Sequence, residues 1–179
     1  MIILAWCLFA AGALLVLWIA VRTHRLDKVS VEELPRMLQP MDLEAFLNLV
    51  DPAEDEFLER ELPQNQLGRI RKERLRAVLE YLERARHNAA ILLRLGEAAQ
   101  RSPERELALQ GAQLVTAALH FRSYAMLLTA KTYMALLAGG SPVQVAGFRA
   151  QYGELKNAFQ AISPAAARLQ TAPLLPSFQ

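Results

Sequence analysis

Cysteine is the scarcest residue in this chain of 179, glycine is sparse and β-branched residues nowhere alternate with polar ones, and each shortage excludes something. One cysteine, Cys7, permits no internal disulfide, and its apolar neighbours make it a small hydrophobe and a poor redox or acylation site. Eight glycines, and no run in which apolar and polar residues alternate, leave a sheet without support. Local enzyme signatures are missing too: no phosphate-cradling glycine loop, no Gly-x-Ser-x-Gly elbow, no Cys-x-x-Cys and no paired-histidine motif. Charge of either sign is absent from residues 2–21, which also lack proline and hold one glycine, Gly12.

That uncharged run is the first thing present. Twenty residues at 1.5 Å each make about 30 Å of helix, the hydrocarbon thickness of a bilayer. Trp6 and Trp18 sit toward its two ends, where an indole ring rests at the interface. Arg22, Arg25 and Lys28 follow it and nothing but the terminal amine precedes it, so the positive-inside rule puts the rest of the chain in the cytoplasm. A removable signal peptide would need a basic start and small residues before the cut, and Trp18 stands where one is wanted. The expectation is a single-pass protein of the cell (inner) membrane, N-terminus outside. A second crossing within residues 114–137 is disfavoured by Arg122 and Lys131, since a central arginine costs about 2.5 kcal/mol even on lenient insertion scales.

Past a juxtamembrane linker at 22–41, the pattern is all-α through residue 170. Asp51-Pro52, Ser102-Pro103, Ser141-Pro142 and Ser163-Pro164 each offer an N-cap oxygen followed by a proline suited to the first helical position. Asp42 starts a further short helix, Ser30 and Glu33 resemble a capping box cut short by Pro35, and Pro63 and Gly139-Gly140 mark stops. The expected elements are short acidic helices within 42–62, long helices at 66–100 and 103–138, a helix at 142–162, and a frayed tail at 171–179.

Both long helices carry heptad seams. In the first, Leu75, Val78, Leu82, Ala85, Ala89, Leu92, Gly96 and Ala99 recur three and four apart; in the second, Leu107, Gly111, Leu114, Ala118, Phe121, Ala125, Leu128, Thr132 and Ala135 do so. The join at Arg101-Ser102 is short, so the helices fold back as an antiparallel hairpin, the heart of a three- to five-helix bundle. In an antiparallel pair the partners' positions add to a nearly constant value, and a sum of 203 pairs Gly96 with Leu107, Leu92 with Gly111, Ala89 with Leu114 and Leu82 with Phe121, so that large residues mostly face small ones. Val145, Phe148, Tyr152, Leu155, Phe159 and Ile162 give the following helix a face to lay along the hairpin.

Net charge is only +2 but unevenly placed: residues 42–61 hold eight acids and one base, Arg60, whereas 69–105 hold ten bases and five acids. The run Arg69, Arg71, Lys72, Arg74 and Arg76 is the clearest candidate site, suited to anionic lipid or to a partner. The plainer reading is preferred: these side chains pair with Asp51, Glu54, Asp55, Glu56, Glu59 and Glu61, or form a solvated helix face. Nucleic acid is disfavoured, because no aromatic platform interleaves the bases. Glu83, His87 and His120 are weak metal candidates, their spacing matching no known pair of helical ligands. No cofactor is expected. Leu109, Val115, Leu119, Leu127, Met134 and Leu137 lie off the second helix's seam and suggest a protein partner or self-association. The expected function is therefore that of a non-catalytic, membrane-anchored interaction or assembly module. Its alternatives are anionic-lipid binding through residues 69–76, or a metal-binding or enzymatic bundle around His87 and His120.

Overall fold

The computed structural model describes residues 30–31, 33–139, 143, 145 and 147–171, with backbone alone at residue 64 and across 163–171. The expected anchor at 2–21 and the tail from residue 172 lie outside the described residues. Among those described there are five α-helices, one 3-10 turn (Leu34–Met37) and no strand. The helices are α1 (Leu43–Leu49), α2 (Pro52–Glu61), α3 (Gln64–Gln100), α4 (Arg105–Leu137) and α5 (Phe148–Thr171). None of them is long and apolar enough to cross a membrane.

Local chemistry sets the short helices. The Asp42 carboxylate accepts from the Ala45 amide and the Asp51 carboxylate from the Ala53 amide, each at 3.0 Å, and Pro52 follows Asp51 at the first helical position. Pro63 closes α2 and opens α3. The later boundaries depart from expectation. Ser102 does not cap α4; its hydroxyl accepts from the Glu104 amide at 3.2 Å, and the turn this makes delays α4 to Arg105. Gly139, at φ +94°, takes the left-handed conformation that ends α4. Gly147, at φ +88°, does the same just before α5, which therefore begins at Phe148 and not at residue 142. Ser163-Pro164 starts no helix: α5 runs through it to Thr171. Proline is costly inside a helix, and the three alanines that follow it, the best of helix formers, favour continuation.

The core is the hairpin of α3 and α4. Every expected seam residue of α4, from Leu107 to Ala135, is buried. On α3 the buried set is Leu75, Val78, Leu82, Ala85, Ala89, Leu92 and Gly96, joined by Leu67, Ile91 and Leu95. The register is about one turn from the expected pairing. Gly96 lies against Gly111 and Val115, and Gly111 against Gly96, Ala99 and Gln100, not Leu107 against Gly96 or Leu92 against Gly111. The physical reason is the longer turn at 101–104, which lets the helices slide until their two glycines meet. An added Cβ on Gly111 would stand 2.6 Å from the Gln100 backbone nitrogen and 2.8 Å from the Gly96 carbonyl oxygen.

One side of the hairpin carries an aromatic cluster. Phe46 of α1 and Phe148 of α5 stack at a tilt, centroids 4.4 Å apart, and Phe148 meets Phe121 of α4 edge-on at 5.4 Å. All three are at most 1% exposed, so each contributes on the order of 1.5–3 kcal/mol by burial. The segment before α1 joins them. Leu34 is buried, and Asn88 of α3 exchanges two 2.8 Å hydrogen bonds with the Gln39 backbone. Part of the stretch expected to be linker is thus packed into the bundle.

Candidate functional site

The basic run lies on the first turns of α3, and the helix divides it. Arg71 turns inward: its Nε and Nη2 donate to both carboxylate oxygens of Asp55, at 3.0 and 2.6 Å, and Nη2 reaches Glu59 at 3.2 Å. The bond to Asp55 raises the Arg71 pKa above its ordinary value against the opposing effect of partial burial, so its charge is fixed at every working pH. Arg74 also turns inward, toward carbonyl oxygens. Its Nη2 donates to Asn48 and Leu49, both at 3.1 Å, and its Nε to Leu49 at 3.3 Å. Those carbonyls end α1, where the helix dipole favours a cation; the Asn48 oxygen accepts from the Asp51 amide as well, at 3.4 Å.

The two inward arginines therefore fasten α1 and α2 to α3. Of the acids expected to pair with the run, Asp55 and Glu59 do so, while Asp51 caps its own helix. Arg69, Lys72 and Arg76 remain outward, three and four positions apart on one face. Arg69 meets Glu73 at 3.9 Å, an exposed contact worth little. Beside Arg74 the junction of α1, α2 and α3 forms an open groove of 610 Å³, its walls including Leu49, Glu54, Leu58, Ile70 and Tyr81.

The weak metal candidates do not converge. His87 Nε2 donates to the Met37 carbonyl oxygen at 3.3 Å, which fixes the proton on that nitrogen and removes it as a ligand. Glu83 pairs with Arg86 at 3.3 Å, and His120 is exposed. Arg122 is close by: burial lowers its pKa first, and the charge of Arg86 lowers it further. Two guanidinium groups near enough to repel one another make a poor setting for a metal cation. Among the described residues no three histidine, cysteine or acidic side chains are grouped to hold a metal ion.

A different surface stands out once the bundle is assembled. α5 and the aromatic cluster take the side of α4 that carries Phe121 and Tyr124, and α3 takes the seam. The face opposite is left outward. Leu109, Leu119, Leu127, Met134 and Leu137 are exposed there, at 54%, 46%, 53%, 70% and 90%. Val115, counted with them on sequence, is instead half-buried beside Gly96. Sequence reasoning found this face but missed the carbonyl clamp of Arg74 and the exposed ion pair of Arg149 with Glu44, at 3.1 Å. A contact from a side chain to a distant backbone oxygen leaves no pattern in sequence. Compared with known proteins, the chain matches no family model, no curated protein and no solved structure.

Proposed function

We propose that this chain is a non-catalytic helical assembly module, anchored in the membrane by residues 2–21, that presents the outer face of α4 to a protein partner. The observation that carries the reading is that face: of the eight large apolar side chains exposed among the described residues, five lie along it, the others being Val31, Phe57 and Tyr133. The apolar run at 2–21 and the cations after it support the anchor and a cytoplasmic domain. Tethering raises the local concentration of other membrane-held chains, so a modest apolar surface suffices for association. Alkaline extraction of membranes tests the anchor: the full chain stays in the pellet, and a chain lacking residues 2–21 is released. Release of the full chain would overturn it.

The outward cations support a second reading, contact with anionic lipid through Arg69, Lys72 and Arg76. With Arg71 and Arg74 engaged elsewhere, three charges remain, each contributing about 1 kcal/mol at an anionic surface. Reversing those three to glutamate abolishes flotation with phosphatidylserine vesicles of the chain lacking residues 2–21 if this reading holds. Equal flotation with neutral vesicles rejects it.

A further inference from the structure

α2 differs from its neighbour α1 in how it is held. None of its side chains is buried, none of its apolar residues joins the core, and Phe57 is exposed. α1 is shorter, yet it puts Phe46 into the aromatic cluster and packs Leu43, Leu47 and Leu49 against the core. What holds α2 is charge: Asp55 takes the fork of Arg71, and Glu59 takes a further bond from the same guanidinium. Among the described residues no other hydrogen bond or ion pair joins the side chains of α2 to the rest of the bundle; Arg60 donates only to the Glu56 carbonyl oxygen of its own helix.

A helix of ten residues is marginal in water by itself, so α2 keeps its shape only while docked, and letting go of Arg71 means melting. Its ends already break the helical run, at Asp51-Pro52 and at Pro63. α1 has its own fastenings in Phe46 and in the Arg74 guanidinium, so it need not follow. We propose that α2 is a latch: it undocks and melts as a unit while α1 and the hairpin stay folded, and the hold of Arg71 on Asp55 and Glu59 sets the balance. A single charge-assisted fork favours the closed state by about ten- to a hundredfold, which leaves roughly one to ten chains in a hundred open at any time.

Opening has two effects. Glu54 and Leu58 form one wall of the groove beside Arg74, so the groove loses that wall and Leu49, Ile70 and Tyr81 are left open on that side. Arg71, mostly covered in the closed state, turns its guanidinium to water. Ionic strength is the lever. Salt weakens an ion pair, less when the pair is partly covered, and leaves the apolar packing of α1 and the hairpin in place. The latch needs neither the membrane anchor nor a partner on α4, so it stands or falls apart from both readings above.

The test is hydrogen exchange of the full chain in detergent micelles, compared at low and at high sodium chloride. At low salt the α2 amides should be protected, yet exchange about tenfold faster than the hydrogen-bonded amides of α1. At high salt they should exchange about threefold faster again, while α3 and α4 are unchanged. The double variant Asp55→Asn, Glu59→Gln should speed α2 exchange already at low salt and remove the response to salt, with circular dichroism showing the long helices retained. Exchange of α2 in step with α1 or with the hairpin would mean that it has no opening of its own. No protection at low salt would mean that it never closes. Indifference to both salt and the double variant would mean that something other than Arg71 holds it. Any of the three overturns the latch.

Discussion

Gly96 and Gly111 show what a single hydrogen atom in place of a side chain does here. Their backbones stand so close that a Cβ on Gly111 meets main-chain atoms, which cannot rotate aside as a side chain would. Gly111→Ala should destabilise the chain by about 1–3 kcal/mol through overpacking. Gly68, on the same helix as Gly96, has nothing within 4 Å of its added Cβ. Gly68→Ala should instead stabilise by about 0.5–1 kcal/mol, because alanine loses less backbone freedom in a helix. Thermal melts of the two variants check the pair: shifts of the same sign would contradict the glycine contact. Tyr124 offers a residue-level test by pH. Burial raises its phenol above the ordinary value of 10.0, so the folded state favours the neutral form. The stability this gives is complete below pH 10 and falls away as pH climbs through the folded value. Alkaline melts should therefore decline less steeply for Tyr124→Phe, and identical pH profiles would count against the buried phenol.

At the scale of elements, α1 and α2 are too short to hold themselves and depend on α3. α2 has no buried residue. Its attachment is chiefly the fork of Arg71 on Asp55, with both side chains mostly covered. Arg71→Ala should therefore loosen α2, costing about 1–2 kcal/mol for a charge-assisted pair at a partly covered site. Arg71→Lys keeps the charge but not the two-pronged geometry and should fall between. Hydrogen exchange of the α2 amides reads this directly, and unchanged protection in Arg71→Ala would show that α2 is held by something else.

The same elements show where sequence reasoning works. Seams and aspartate caps are local patterns, and the buried positions of α4 and the starts of α1 and α2 were legible from them. The register of the hairpin was not. It depends on a turn at 101–104 whose length is set by one serine hydroxyl, and a four-residue slip leaves every seam residue on its seam. Leu34 escaped for a related reason: Pro35 and Pro40 break the periodicity that would have marked its segment as part of the bundle. Within the basic run, spacing revealed the cluster but not its division. The choice between an acid and a backbone oxygen is made by tertiary packing alone.

For the whole molecule, the proposed arrangement makes the charges after residue 21 decide which way the domain faces. Arg22, Arg25 and Lys28 follow the apolar run, with Asp27 among them, and orientation responds to lysine and arginine near the ends of a span far more than to acids. A reporter thiol at residue 113, exposed on α4, then reads sidedness when Cys7 is replaced by serine. In intact bacterial cells an impermeant maleimide should leave Gln113→Cys unlabelled until the membrane is opened. Replacing Arg22, Arg25 and Lys28 with serine and adding three lysines before Ile2 should invert a fraction of the chains and make that fraction reactive from outside. Labelling of the unaltered orientation in intact cells would place the domain on the other face. The outward cations of α3 would then no longer meet the anionic cytoplasmic leaflet, and lipid contact through them would lose its physical basis, whereas association through the outer face of α4 would be unaffected because it needs only a partner held in the same membrane.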